Sequence, residues 1–195
     1  MNATENIPQA HDEAIAEQYH LLDRAQMRRT SDQQHAAGMA GFRAGYKGRR
    51  FTHFLSDGSE ATHKEAVAAL REMPQDERVI SYGKTPDQML EQLVESAQAI
   101  GEIVAKIKEM ERVYTGWSRF FLVTSSSGHI HSSMHCSTCR PTTTFGWMPQ
   151  LSGKTEAEAV ETCGPTLCSV CFPEAPLDWQ SGKKITKAQA AKMVA

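Results

Sequence analysis

Apolar residues recur every three or four positions between residues 85 and 114, which is the spacing of one face of an α-helix. The members of this stripe are Leu90, Leu93, Ala97, Ile100, Val104, Ile107 and Tyr114. Thr85 precedes the stripe as an N-cap residue, with Pro86 at the first helical position and Asp87 in the first turn. The pattern therefore predicts one long amphipathic helix from Thr85 to Tyr114.

Two further helices are predicted upstream. The first spans His11 to Arg29, and Thr62 with Glu65 forms a capping-box pattern that begins a second helix, which ends at Met73 before Pro74. The apolar face of the first helix consists of Ile15, Tyr19 and Leu22. This helix and the long helix are natural antiparallel partners in a coiled-coil hairpin. The same apolar stripe would also serve as the seam of a homodimer.

The periodicity changes after residue 115. Residues 120–124 are apolar and β-favouring, and residues 125–128 have turn composition. Residues 129–134 would form the second strand, which predicts a β-hairpin. Residues 142–147 are a third strand candidate. Thr155 then begins a short capped helix that Gly164 ends. This part of the chain is therefore predicted to be small and β-rich.

Four of the five cysteines form two C-x-x-C pairs, Cys136 with Cys139 and Cys168 with Cys171. Each tight turn presents two thiolates on one side, so two pairs supply the four ligands of a tetrahedral Zn²⁺ site. Disulfides are the alternative. Residues 1–18 contain no apolar secretory run, so we expect a cytoplasmic protein, in which disulfides rarely persist.

Other donors lie close to these pairs in the sequence. His129, His131 and His135 precede the first pair, and His131 is the alternate ligand in a site of three cysteines and one imidazole. Cys163 is interpreted as a small buried hydrophobe at a helix end. The sequence leaves open whether His131 or Cys163 joins the four cysteines.

These predictions define an α+β chain with three parts. Residues 1–115 form a helical hairpin or coiled-coil arm, and residues 116–178 form a small zinc-ribbon or treble-clef-like β-rich module. Residues 179–195 are predicted to be a basic C-terminal tail, either a short helix from about Thr186 or a frayed terminus.

The segment from Phe42 to Phe54 lies between the predicted helices and is interpreted as a loop. It carries four cations and no acid, interleaved with four aromatic residues, a composition suited to phosphate contact and base stacking. The predicted nucleic-acid contacts are Arg43, Lys47, Arg49, Arg50, Arg119 and Arg140. The alternative is a flexible connecting loop with a solvated charge cluster. Because the net charge is only −2, any electrostatic attraction must be local.

The residues around the cysteines also resemble a family of uncharacterised zinc-binding proteins encoded mainly by phages of actinobacteria. The resemblance rests on the segments 117–124, 128–139, 151–153 and 167–173 and covers roughly residues 115 to 178. Members are similar in having a variable helical part before the cysteine-rich module. The resemblance implies a phage protein in the cytoplasm of a host cell, and it implies no particular activity.

The sequence thus predicts a non-enzymatic, phage-type protein in which structural zinc organises a module that contacts nucleic acid or its associated proteins. The first alternative is a protein-interaction adaptor that acts through the coiled-coil arm on a host or phage protein. The second is a zinc-dependent enzyme that uses His129 and His131, although no carboxylate occurs between Thr115 and Thr155 to act as general acid or base. No apolar stretch is long enough to predict a membrane span.

Overall fold

The computed structural model describes residues 7–74, 83–125 and 128–194. The contacts divide the chain into two compact units, which we call the cysteine unit (residues 1–19 and 107–195) and the helical unit (residues 20–106). This division does not follow the predicted boundaries after residues 115 and 178, because two long helices each contribute residues to both units. The fold is mixed α and β with a long N-terminal helix.

The described part of the helical unit contains helix α2 (His63–Glu72) and most of helices α1 (Ile7–Met39) and α3 (Pro86–Glu111). Helix α1 extends well past the predicted end at Arg29, because its last turns bury apolar side chains against the other two helices. The buried cluster consists of Ala36, Ala37, Met39, Ala66, Leu70, Met89 and Leu93. None of the described helices is both long and apolar enough to cross a membrane.

The predicted starts of α2 and α3 are confirmed by their caps. The Thr62 hydroxyl accepts a hydrogen bond from the Glu65 backbone N–H (3.3 Å), while the Glu65 carboxylate accepts one from the Thr62 backbone N–H (2.7 Å). This reciprocal pair is the predicted capping box. At the start of α3, the Thr85 hydroxyl accepts a hydrogen bond from the Gln88 backbone N–H. Both helices therefore begin where side-chain oxygens satisfy the first free N–H groups.

Helices α1 and α3 run antiparallel within the helical unit, but polar side chains occupy much of their contact. Arg29 donates hydrogen bonds to the Leu93 carbonyl and the Ser96 hydroxyl, and Gln92 donates one to Asp32 (2.6 Å). Leu93 is buried, as the predicted seam requires, whereas Ala97 and Val104 of that seam are exposed. The prediction of a continuous apolar seam between α1 and α3 is therefore wrong at these two positions, whereas the homodimer seam stays a prediction.

Residues 43–54 of the segment from Phe42 to Phe54 form a β-hairpin, so the prediction of a loop is wrong. Strand β1 (Arg43–Lys47) pairs antiparallel with β2 (Arg50–Phe54), and Tyr46 lies opposite Phe51. Gly48 begins the two-residue turn with a φ of +64°, a conformation that glycine adopts without strain. The β-favouring Tyr46 and Phe51 on either side of this glycine were the available signal for a hairpin.

The cysteine unit contains a three-stranded antiparallel sheet in the order β4 (Ile130–His131), β3 (Phe121–Val123) and β5 (Phe145–Trp147). In its register Phe121 lies opposite both His131 and Trp147. The predicted hairpin and third strand are confirmed. Ser126 and Ser127 of the predicted turn lie outside the described residues. A short 3₁₀ helix, Pro149–Leu151, follows β5.

The helices α4 (Glu156–Cys163), α5 (Leu177–Gln180) and α6 (Lys187–Met193) complete this unit. Among the described residues, its buried core consists of Phe120, Leu122, Ile130, Met148, Leu151, Ala159, Leu167, Phe172, Ala175, Ile185 and Ala190. The predicted capping box of Thr155 and Glu158 begins α4. The core is thus assembled from elements spread along the whole C-terminal half.

Residues 179–194 are part of this core, so the prediction of a separate basic tail is wrong. Ile185 and Ala190 are buried, and Thr186 caps α6, which is the short helix that the sequence offered as one alternative. A Cβ atom on Gly146 of β5 would lie 2.5 Å from Val194, so the missing side chain makes room for the C-terminal segment. The burial of Ile185 and Ala190, which lie between the lysines, stabilises the packing of this segment against the core.

A buried carboxylate joins the separate segments of the cysteine unit. Asp12 is fully buried and accepts hydrogen bonds from the indole N–H of Trp117 (2.9 Å), Nε of Arg119 (2.9 Å) and the hydroxyl of Ser152 (2.6 Å). Arg119 also donates to both carboxylate oxygens of Glu111 (2.9 and 3.0 Å). Its guanidinium carbon lies 3.7 Å from the centroid of the Tyr114 ring. The start of α1 is thereby tied to the chain that leads into β3.

Replacement of Asp12 by alanine is expected to lower the free energy of unfolding by about 3 kcal/mol or more, because it leaves the partly buried Arg119 with only one carboxylate. Urea unfolding followed by circular dichroism measures this loss. The matched control is Asp23→Ala on the exposed face of the same helix, which is expected to leave the midpoint unchanged. Equal effects of the two substitutions would contradict a special role for Asp12.

Candidate metal centre

Two backbone hydrogen bonds place the second cysteine pair beside strand β4. The Ile130 N–H donates to the Thr166 carbonyl (2.9 Å), and the Cys168 N–H donates to the Ile130 carbonyl (2.9 Å). Ile130 and Leu167 consequently form a parallel bridge. His131 and Cys168 come close together because this register brings neighbouring residues of the two segments side by side.

Both C-x-x-C pairs are closed by backbone hydrogen bonds. The Cys139 N–H donates to the Cys136 carbonyl (3.0 Å), and the Cys171 N–H donates to the Cys168 carbonyl (3.1 Å). The Phe172 N–H donates to the same Cys168 carbonyl (2.9 Å), and Phe172 is buried in the core. Each pair is therefore a tight turn that backbone hydrogen bonds hold without a bound metal.

The turns and β4 bring four donor atoms together. The donor atoms of His131, Cys136, Cys168 and Cys171 all lie within 4.8 Å of one another, and this His/Cys cluster could hold a metal ion. The sulfurs of Cys136 and Cys168 are 3.9 Å apart. The sulfur of Cys171 lies 3.5 Å from Nδ1 of His131.

These two separations fit a tetrahedral zinc site. With Zn–S bonds of about 2.3 Å and Zn–N bonds of about 2.0–2.1 Å, tetrahedral angles give S···S edges of about 3.8 Å and S···N edges of about 3.5 Å. The Cys136–Cys168 distance of 3.9 Å and the Cys171–His131 distance of 3.5 Å agree with these edges. The residues present therefore fit a zinc ion, although the cluster by itself does not identify the metal.

Cys139 is a fifth donor at the edge of the cluster. Its sulfur lies 3.8 Å from Nε2 of His131, so the two ring nitrogens of His131 face different cysteines. A tetrahedral ion takes four of the five donors. The predicted set of four cysteines and the alternate set with His131 both stay predictions. Cys163 packs against the apolar core and lies outside the cluster.

Burial and hydrogen bonds together shift the pKa of the donors. Burial and the neighbouring His129 lower the pKa of His131, so the imidazole is neutral at pH 7, as metal binding requires. Burial raises the pKa of Cys139 and Cys171. At Cys136 burial opposes ionisation, but hydrogen bonds from Thr138 and neighbouring thiols outweigh it and lower the pKa. A bound metal would displace the remaining thiol protons.

The predicted nucleic-acid contacts are divided between the two units. Arg119 is only 10% exposed and is paired with Asp12 and Glu111. This placement argues against the predicted phosphate contact, because both carboxylates would have to release the guanidinium. Arg140 is exposed and lines an open cleft beside the metal cluster.

The other four predicted contacts lie on the hairpin, where an acid from outside the segment neutralises two of them. The Glu60 carboxylate pairs with Lys47 (3.3 Å) and Arg50 (2.5 Å) and accepts a hydrogen bond from Thr52 (3.0 Å). Sequence reasoning missed Glu60 because it lies six residues beyond the basic segment. Arg43 and Arg49 are exposed and form no ion pair with another described residue.

The opposite face of the hairpin carries an aromatic pair. Tyr46 is 71% exposed and Phe51 is 38% exposed, and their ring centroids are 5.6 Å apart in an edge-to-face arrangement. Phe51 also contacts the ring of the buried His53 at 5.5 Å. Side chains alternate between the faces of a strand, so the aromatic pair and the Glu60 ion pairs lie on opposite sides.

Comparison of the chain with protein-family models, with curated proteins and with solved structures found no match. The resemblance to the phage-encoded family therefore stays a prediction.

Proposed function

We propose that His131, Cys136, Cys168 and Cys171 hold a structural zinc ion and that the metal organises a small zinc-ribbon-like module. The observation that carries the proposal is the agreement of two donor separations with the edges of a zinc tetrahedron. Three thiolates and a neutral imidazole are also a ligand set that zinc uses in structural sites.

The zinc would add to the cohesion that the apolar core gives this unit. The sheet has only short strands, of two to three residues each, and structural zinc contributes roughly 10–16 kcal/mol of apparent binding free energy in small peptides. His131, Cys136 and the second pair would bind the ion. Cys139 would lie next to Nε2 of His131 and orient the imidazole, as second-sphere partners of ligating histidines do.

We further propose that the protein contacts single-stranded nucleic acid through the β1–β2 hairpin. The observation that carries this proposal is the exposed Tyr46–Phe51 pair, a stacking surface beside the exposed turn residue Arg49. Arg43 is a further exposed cation of the same hairpin, on the face opposite the rings. Bases stack on exposed aromatic rings regardless of sequence, and nearby cations neutralise phosphates. Lys47 and Arg50 contribute less attraction, because Glu60 already neutralises part of their charge.

Protein purified without added metal is expected to contain about one zinc ion per chain. Cys168→Ser is expected to abolish this binding, because it removes a buried thiolate from the cluster. The matched control is Cys163→Ser, which changes a thiol outside the cluster and is expected to retain the metal. Metal analysis by mass spectrometry gives the content. Metal-free wild-type protein would contradict the zinc proposal.

The choice between the two ligand sets is tested by cobalt substitution, because the intensity of the thiolate-to-cobalt charge-transfer bands follows the number of bound sulfurs. The proposed set predicts equal intensities for wild type and Cys139→Ser. A weaker band in Cys139→Ser would show that Cys139 binds the metal, and retention of the ligand-field spectrum in His131→Ala would then assign the four-cysteine set.

Nucleic-acid binding by the hairpin is tested with a fluorescent oligothymidylate over a range of salt concentrations. The double variant Arg43→Gln/Arg49→Gln is expected to reduce the slope of log affinity against log salt by about 1.4, since each lost phosphate contact removes about 0.7. Tyr46→Ala is expected to weaken binding by about 1–3 kcal/mol through lost stacking, whereas Tyr46→Phe retains the ring and the affinity.

The control for charge is Lys64→Gln/Lys106→Gln, two exposed cations elsewhere in the helical unit. These substitutions are expected to leave both affinity and salt slope unchanged. No binding at low salt, or an equal loss in the control variant, would show that the hairpin is not a nucleic-acid contact.

A further inference from the structure

The open cleft that Arg140 lines lies in the cysteine unit, next to the His/Cys cluster. It has a volume of about 680 Å³. Its described lining residues are Val123, Ser125, Gly128, His129, His131, Thr138, Cys139, Arg140, Thr142, Thr143 and Lys184. Two cations, one further histidine and four hydroxyl groups thus face one space, whereas Val123 is the single large aliphatic side chain among the described lining residues. Such a surface suits a small charged ligand rather than an apolar one.

No carboxylate of the described residues compensates the charge of this cleft. No Asp or Glu is among the described lining residues, and the sequence has none between Thr115 and Thr155. Arg140 and Lys184 form no ion pair with another described residue, in contrast to Lys47, Arg50 and Arg119. Lysine and arginine side chains that converge without an acid favour an anion between them.

The wall that carries Arg140 is held in a fixed conformation. The Thr143 backbone N–H donates to the Arg140 carbonyl (2.8 Å), and the Arg140 backbone N–H donates to the Thr143 hydroxyl oxygen (3.0 Å). This turn follows the first cysteine pair directly. Lys184, which also lines the cleft, precedes Ile185, whose backbone pairs with Gly128 in both directions (3.1 Å each).

We propose that this cleft binds a phosphate group, with Arg140 and Lys184 as the charged contacts and the hydroxyl of Thr143 as a hydrogen-bond donor. A guanidinium offers paired donors to phosphate oxygens, and a lysine ammonium adds a point charge. The phosphate belongs to a polynucleotide backbone or to a free phosphate or nucleotide. The polynucleotide source rests on the proposed nucleic-acid function, whereas the free source is independent of it.

An opposing explanation is that the two cations only balance the thiolates. A zinc ion with three thiolates carries a net charge of −1, and one with four carries −2. In that case removal of Arg140 or Lys184 would weaken metal retention and leave anion binding unchanged. The two explanations therefore differ in which ligand is lost.

The experiment titrates full-length, metal-loaded protein with inorganic phosphate and follows backbone amide signals by NMR spectroscopy. Saturable shifts are expected at Thr142 and Thr143. Arg140→Gln and Lys184→Gln are each expected to weaken phosphate binding about three- to tenfold, with zinc content unchanged. Lys183→Gln, an exposed neighbour outside the cleft lining, is the matched control and is expected to retain the wild-type affinity.

The absence of saturable shifts, an equal loss in Lys183→Gln, or a loss of zinc without a loss of phosphate binding would each overturn the proposal. The source is then assigned by adding an oligothymidylate that lacks terminal phosphates. Displacement of phosphate from wild type identifies the polynucleotide backbone, and its failure to displace identifies a free phosphate or nucleotide.

The hairpin variant Arg43→Gln/Arg49→Gln separates this proposal from the proposed function. It is expected to lose oligonucleotide affinity and to retain the phosphate-induced shifts at Thr143. If it keeps its oligonucleotide affinity while Arg140→Gln loses phosphate, the hairpin proposal fails and the cleft proposal stands. If Arg140→Gln keeps its phosphate affinity and the hairpin variant loses its oligonucleotide affinity, the cleft proposal fails and the hairpin proposal stands.

Discussion

The His/Cys cluster depends on two backbone hydrogen bonds that join Ile130 to Thr166 and Cys168. They set the register between strand β4 and the second cysteine pair, and side chains on a strand alternate between its two faces. A shift of one residue would turn His131 away from the cysteines and expose Ile130, which is fully buried. The apolar core therefore selects the register, and the register determines which donors meet. Metal binding is therefore not needed to set the register between β4 and the second cysteine pair, because the burial of Ile130 sets it.

A second constraint is the buried carboxylate of Asp12. A buried charge is tolerated only where hydrogen bonds and an opposite charge replace water, and Asp12 receives both from Trp117, Arg119 and Ser152. These partners come from the segment before β3 and from the turn after β5, so one side chain joins three separate parts of the cysteine unit. The same interaction removes Arg119 from the surface. Composition assigned this arginine to a phosphate contact, whereas the fold uses it to stabilise a buried acid.

Local charge has more influence on the two proposed contact surfaces than the net charge of −2. Each unit has cations that pair with a described carboxylate and cations that do not. Glu60 neutralises Lys47 and Arg50 on the hairpin, whereas Arg140 and Lys184 line a cleft that holds no described carboxylate. Exposed ion pairs contribute little to stability, but they reduce the potential that a phosphate would experience. Free and paired cations on these surfaces would therefore differ in the attraction they offer a phosphate more than in their effect on folding.

The sequence by itself determined the features that depend on near neighbours. Thr62, Thr85 and Thr155 defined helix starts, because a cap needs only a side chain and the N–H groups of the next turn. The two C-x-x-C pairs marked the candidate metal centre for the same reason, since each closes within four residues. The hairpin at 42–54 had a local signal too, but its four cations led to the interpretation of a loop.

Only the tertiary structure decided the features that depend on long-range contacts. It brought His131 within reach of the cysteines, buried Arg119 against Asp12, and packed Ile185 and Ala190 into the core. It also left Ala97 and Val104 exposed in a stripe that otherwise follows helical spacing. Each outcome depends on which distant segment covers a residue, and a single sequence carries that information only through the packing of the whole chain.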